Sequence, residues 1–182
     1  LFEDSHTLPE QGGWIQLNAV QEPVEASFMA EPGTGKPYVR FIQNYPNSTR
    51  LITLIHDKNV GEVTLENGYK EIRYQVDDED FEAMKKGLKD NARILFAAGA
   101  SYLYLPTSDK TRINSVDDID KVIDELKNEP ARYRYTSFHP QGTCRMGADK
   151  TKTVVNPYGE THDVKNLYIV DASLLPTSIG YN

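Results

Sequence analysis

The fold class is set by residues 51–76, which read LITLIHDKNVGEVTLENGYKEIRYQV. Three runs in this segment are rich in β-branched, aromatic and alternating apolar residues, which favours strands. These runs are 51–56, 60–65 and 70–76. Polar turns separate them, and the second turn contains the pair Asn67-Gly68, which favours a two-residue hairpin. Because connections this short can join only antiparallel neighbours, we predict a meandering antiparallel sheet.

Two amphipathic helices are predicted after this sheet. The first spans residues 80–98, where apolar side chains recur at helical spacing and Gly99 supplies a stop. The second begins at Ser115, a favourable N-cap residue, and ends at Glu129-Pro130. We interpret the apolar stripes of both helices as core. A largely antiparallel sheet with helices on one face is an α+β fold.

The segment before the sheet has a different character. Glycines and prolines interrupt residues 1–35, so we expect an irregular connecting segment that contains at most one short strand near Trp14. Residues 38–43 mix β-branched and aromatic side chains, which favours a further strand. We therefore predict that the domain proper spans residues 36–182.

The composition excludes several classes of partner. Hydrophobic residues make up 38% and charged residues 26% of the 182 residues, and the formal net charge is −7. This negative charge argues against binding to nucleic acid or to an anionic membrane surface, which require basic patches. No apolar run approaches the roughly 20 residues of a membrane span. The single cysteine, Cys144, excludes an internal disulfide and is compatible with a reducing compartment such as the cytoplasm.

The C-terminal quarter of the chain concentrates residues that carry chemistry. Residues 139–147 read HPQGTCRMG and place one histidine, two glycines and small polar residues in one loop. Residues 156–159 have the preferences of a type I turn, and 167–170 are predicted to form a buried strand that leads into Asp171. Loops at the ends of strands are frequent ligand sites. By itself this pattern leaves His139 open as a structural residue or as a ligand in a metal-dependent hydrolase, although no further Cys or His stands at metal-ligand spacing.

An ordered series of motifs resembles the C-terminal signature of the glucose–methanol–choline (GMC) oxidoreductases. The series comprises HPQGTCRMG at 139–147, VVN at 154–156, NLYIVDASLLP at 166–176 and GYN at 180–182. The resemblance extends upstream to residue 36. It implies the substrate-side domain of an FAD-dependent enzyme that oxidises a small-molecule alcohol, such as a sugar or a sterol.

The resemblance also implies roles for individual residues. His139 would lie before the flavin ring and accept the hydroxyl proton of the alcohol while hydride moves to flavin N5. Asn182 falls where some members have histidine and others asparagine, which gives a His/Asn type as in cholesterol oxidases. Its amide would orient the substrate oxygen. Asp171, Ala172 and Asn182 would contact FAD, although the Asp171 carboxylate has a simpler alternative role as a turn cap.

One departure from the family pattern is large. The glycine-rich fingerprint GxGxxG of a dinucleotide-binding fold is absent from these residues. We therefore expect both ends to be cut points, with the FAD-binding half upstream as a partner of this domain and little or no FAD binding by the chain alone. A non-catalytic binding domain that retains the motif loop as scaffold is the alternative function. The remaining histidines, His6, His56 and His162, are expected to be bystanders.

Overall fold

The structure is a computed structural model that describes residues 2–3, 14–18, 35–109, 111–133, 135, 137 and 139–178. The chain forms two compact units. We call the first, Leu1–Ile55 with Asp77–Tyr135, the helical unit, and the second, His56–Val76 with Thr136–Asn182, the loop unit. Because most of residues 1–34 lie outside the described part, the domain boundary at residue 36 stays a prediction.

The helical unit combines an antiparallel sheet with helices. Its sheet has the order β1-β2-β3, formed by β1 (Phe2–Glu3), β2 (Trp14–Asn18) and β3 (Leu51–Ile55). The strand expected near Trp14 is therefore present as β2. The other elements of this unit are α1 (Lys36–Asn44), α2 (Asp78–Ala97), β6 (Leu103–Tyr104), β7 (Arg112–Ile113) and α3 (Ile119–Asp124). Short 3-10 turns at Tyr45–Asn47, Val116–Asp118 and Pro130–Arg132 connect them.

The core of this unit lies around α2, which packs against β2, β3 and α3. Phe81 on α2, Ile113 on β7 and Ile123 on α3 are buried, as the helical periodicity predicts for the two helices. Local signals fix the helix starts: the Asp77 side chain caps α2 by accepting from Asp80 N at 2.8 Å, and Ser115 caps the turn before α3. The α+β fold class with antiparallel strands is confirmed.

The prediction of a strand at residues 38–43 is wrong, because these residues lie in α1. The β preference of such side chains reflects packing on a half-buried pleated surface. Val39 is instead half exposed on the helix, so that packing is not available to it.

The loop unit begins with a hairpin of β4 (Glu62–Glu66) and β5 (Tyr69–Arg73). Asn67 and Gly68 form its turn with φ of 52° and 82°, the positive values that a two-residue I′ turn requires. The predicted hairpin is therefore confirmed, but the continuous meander is wrong. β3 pairs with β2. The residues that follow β3 make a different contact, in which Tyr74 Oη donates to Asp57 Oδ2 at 2.8 Å.

Residues 139–178 of the loop unit consist of turns, isolated bridges and the 3-10 turn Ala172–Leu174. The prediction of a buried strand at residues 167–170 is wrong, because Val170 is 88% exposed and Leu167 is half exposed. Within the described residues, this stretch pairs only with residues 159–161, through Ile169 N to Gly159 O at 3.0 Å and Thr161 N to Leu167 O at 2.9 Å. Of the four residues of this stretch, Leu167, Tyr168 and Val170 are exposed and Ile169 is partly buried.

No helix in the described ranges has both the length and the apolar character needed to cross a membrane.

Candidate active site

The motif loop, residues 139–147, is held against the turn that follows residue 171 by main-chain hydrogen bonds. Cys144 N donates to Ser173 O at 3.0 Å, and Met146 N donates to Leu174 O at 2.9 Å. Gly142 allows this approach, because its φ is +79° and a Cβ there would stand 3.4 Å from Leu175 O. The structure thus brings together two sequence motifs that lie about 30 residues apart along the chain.

A second set of contacts stiffens the end of the motif loop. Thr153 Oγ1 lies 2.8 Å from Asp149 O, 3.1 Å from Gly147 O and 2.9 Å from His162 Nε2. The hydroxyl has one proton to donate to a carbonyl, so His162 Nε2–H is the donor to Thr153. Val155 is fully buried beside them. His162, expected to be a bystander, therefore braces the loop that follows the motif.

Asp171 begins the turn that the motif loop contacts. Its Oδ1 accepts from Ser173 N at 2.8 Å and so caps the 3-10 turn Ala172–Leu174. The side-chain hydrogen bond to Ser173, with the backbone bond second, lowers the pKa of Asp171. The capping role considered from the sequence is present, and the carboxylate remains exposed and charged at neutral pH.

His139 lies exposed in the motif loop and makes no hydrogen bond with another described residue. Its ring nitrogens are therefore available for a hydrogen bond with a bound molecule. Asn182, the second residue predicted to be catalytic, lies outside the described residues. The structure therefore unites the His139 loop with Asp171 and Ala172, and the position of Asn182 stays a prediction.

Two further residues of this region, Gln141 and His56, have environments that the sequence does not predict, and His56 is one of the expected bystanders. Gln141 Oε1 is buried and has no hydrogen-bond partner in the described part of the chain. His56 Nε2 lies 2.6 Å from Ser178 O, although 122 residues separate them. No periodicity or spacing could have signalled the second contact, because His56 stands at the end of a strand-like run with no motif around it. Among the described residues, no group of three or more His, Cys, Asp or Glu side chains could hold a metal ion.

Comparison with known proteins decides the family. The sequence model described as GMC oxidoreductase, for the C-terminal part of that family, matches residues 57–182, which is most of the chain. The chain belongs to the GMC oxidoreductase family. All the motif residues discussed above lie within the match, as does the loop unit after its first residue.

Two relatives resemble the chain over most of its length, and a third resembles less than half of it. A long-chain-alcohol oxidase of Arabidopsis thaliana is 34% identical over 149 residues, which cover 76% of this chain and 20% of that protein. A second long-chain-alcohol oxidase of the same plant is 30% identical over 82% of this chain and 21% of its own length. An oxygen-dependent choline dehydrogenase of Cronobacter sakazakii is 39% identical over 42% of this chain and 14% of that protein. The chain spans about a fifth of the length of each of the two curated long-chain-alcohol oxidases.

Proposed function

We propose that this chain is the substrate-side, C-terminal portion of an FAD-dependent enzyme that oxidises the CH–OH group of an alcohol. Family membership supports the reaction class. The observation that carries the proposal is the pair of hydrogen bonds that hold the motif loop on the Asp171 turn, Cys144 N to Ser173 O and Met146 N to Leu174 O. These bonds fix a loop that presents the exposed imidazole of His139, which makes no hydrogen bond with another described residue.

His139 is the proton acceptor in this proposal. Oxidation of an alcohol requires removal of its hydroxyl proton, and a neutral imidazole within hydrogen-bond reach can take it. The hydrogen bonds at Cys144 and Met146 support the backbone of the loop that carries His139, and a well-positioned base makes such a proton transfer more efficient. When bound, FAD supplies the hydride acceptor.

The described residues fit FAD in two respects. Gln141 Oε1 is a buried acceptor with no donor among the described residues, and a bound group with N–H or hydroxyl donors would remove the cost of about 1–3 kcal/mol of that unmet oxygen. The Asp171 carboxylate stays charged, so it suits the hydroxyls of the ribityl chain and would repel a phosphate. We therefore assign Asp171 to the ribityl side, with the backbone of Ala172 next to it.

Asn182 is proposed as the residue that orients the alcohol oxygen and contacts the cofactor, in a His/Asn site of the cholesterol-oxidase type. Its amide can donate to an oxygen that gains alkoxide character while His139 takes the proton. The chain alone is expected to bind FAD weakly or not at all, because no dinucleotide-binding fingerprint is present in these residues.

Long-chain primary alcohols are the first substrates to test, because two of the relatives above are named for them. The experiment is an anaerobic titration of the full-length protein that carries this chain with long-chain, short-chain and sterol alcohols, followed by bleaching of the flavin absorbance. We expect one class to bleach the flavin in the wild-type protein. His139→Ala should lower the rate of bleaching about 100- to 10,000-fold while flavin stays bound.

The matched control is Lys150→Ala, which truncates an exposed side chain of the same unit just after the motif loop. It should leave the bleaching rate near that of the wild-type protein. A full-length protein that contains no flavin would contradict the proposal and favour the non-catalytic binding domain. A flavin that no alcohol reduces would contradict the substrate class.

A further inference from the structure

We propose that His56 is a positioning residue, which fixes the main chain at Ser178 and thereby the residues that lead to Asn182. This inference rests on the proposed function, in which Asn182 orients the substrate oxygen. His56 stands outside every motif used above. Its contact with the C-terminal stretch comes from the structure alone.

The geometry defines what the ring does. His56 Nε2 lies 2.6 Å from Ser178 O, and a carbonyl oxygen can only accept. Nε2 therefore carries a proton and donates it to this carbonyl. Nδ1 is buried and has no partner among the described residues, so the ring is held by one directed bond.

The segment that carries the His56 ring is held by two further hydrogen bonds. Immediately after His56, Asp57 Oδ2 accepts from Tyr74 Oη at 2.8 Å. Two residues further, Asn59 Nδ2 donates to Gln75 O at 2.6 Å. The segment that carries the His56 ring is thus hydrogen-bonded twice to the residues that follow β5. These bonds limit how far the ring can move with Ser178.

Residues 175–178, which include the accepting carbonyl of Ser178, make few other hydrogen bonds with described residues. Leu175 N donates to Ala172 O at 3.1 Å and closes the 3-10 turn. For residues 176–178, the bond from His56 to Ser178 O is the only hydrogen bond with another described residue. Ser178 stands four residues before Asn182 in the sequence. Removing the bond therefore releases the main chain at Ser178, the last residue that the structure describes.

Two substitutions separate positioning from general packing. The amide nitrogen of glutamine can occupy about the same place as imidazole Nε2, so His56→Gln keeps the donor to Ser178 O. The amide nitrogen of asparagine lies about where Nδ1 stood, so His56→Asn loses it. Both side chains are polar amides, and the difference between them is their reach.

The experiment uses the full-length flavoprotein that carries this chain. Flavin content, melting temperature, kcat and KM for an alcohol, and hydrogen–deuterium exchange of the peptide after residue 175 are measured for the wild type and both variants. We expect His56→Asn to lower kcat about 10- to 100-fold and to speed exchange in that peptide, with flavin content unchanged. His56→Gln should restore both quantities toward the wild type.

Equal behaviour of the two variants in exchange and in kcat would overturn the proposal, as would a parallel loss of flavin and melting temperature in both. If no alcohol reduces the wild-type flavin, the proposed function fails. In that case the exchange difference between His56→Asn and His56→Gln still decides whether His56 fixes the main chain at Ser178.

Discussion

The helical unit and the loop unit are stabilised by different means. Of the ten buried hydrophobic residues among those described, eight belong to the helical unit, and the loop unit has only Val76 and Val155. The loop unit instead relies on main-chain hydrogen bonds between turns, such as Gly147 N to Val155 O at 3.0 Å. An apolar core tolerates exchange of shape and volume, whereas a network of turns depends on backbone conformation at particular residues. The candidate site lies entirely in the second kind of structure.

The largest expected effect tests the core of the helical unit. Ile123 is fully buried on α3, and Ile123→Ala should lower the free energy of unfolding by about 2–5 kcal/mol through lost burial and the cavity left behind. The matched change in the loop unit is Val155→Ala, which removes two methyl groups and should cost about 1–3 kcal/mol. Urea unfolding of the chain, followed by circular dichroism, measures both. A Val155→Ala cost as large as that of Ile123→Ala would break the contrast between the two units.

A smaller effect is expected where the loop unit depends on a single glycine. A Cβ added at Gly147 would stand 2.7 Å from Thr153 Cγ2, so Gly147→Ala should cost about 1–3 kcal/mol. Thr153→Ser removes that methyl group and keeps the hydroxyl that contacts Asp149 O and His162 Nε2. The double variant should therefore recover most of the stability lost in Gly147→Ala, as read from the same urea curves. A double variant no more stable than Gly147→Ala would show that the steric contact is not the cause.

The smallest effect concerns a surface carboxylate of the helical unit. Hydrogen bonds from Thr107 and Thr111, together with the charge of Arg132, hold the pKa of Asp109 at about 2, below its ordinary value of 3.8. A lowered pKa in the folded state contributes stability above about pH 4, and this contribution is lost as the pH falls toward 2. The difference in unfolding free energy between the wild type and Asp109→Asn should therefore be constant above pH 4 and shrink below it.

Urea titrations at a series of pH values measure this difference. Added salt should reduce the part due to Arg132, since the pair is exposed to solvent. A difference that stays unchanged down to pH 2 would contradict the lowered pKa.

The contrast between the units also explains which features the sequence could predict. The periodicity of α2 and the caps at Asp77 and Ser115 are local, so α2 and α3 could be predicted from the sequence, whereas α1 could not. The Asn67-Gly68 turn was equally readable, because few residue pairs adopt two successive positive φ angles. Partners of strands are not local, and for that reason the pairing of β3 with β2 was missed.

In the loop unit, the motif resemblance identified the segments, but their contacts required the structure. The bonds of Cys144 and Met146 to the Asp171 turn join main-chain atoms, which leave no trace in residue type. The apolar character of residues 167–170 predicted burial, yet Val170 is exposed, because burial depends on what lies opposite. His56 shows the same limit, since a histidine that serves a distant carbonyl resembles any other histidine in sequence.

The main-chain bonds beneath the candidate site have an evolutionary consequence. Cys144, Met146, Ser173 and Leu174 contribute only their amides or carbonyls to the junction of the motif loop with the Asp171 turn. Side chains at these positions can therefore be exchanged without removing a donor or an acceptor from the junction. Descendants of one ancestral sequence can acquire different pockets, and accept different molecules, while inheriting the same backbone framework around His139.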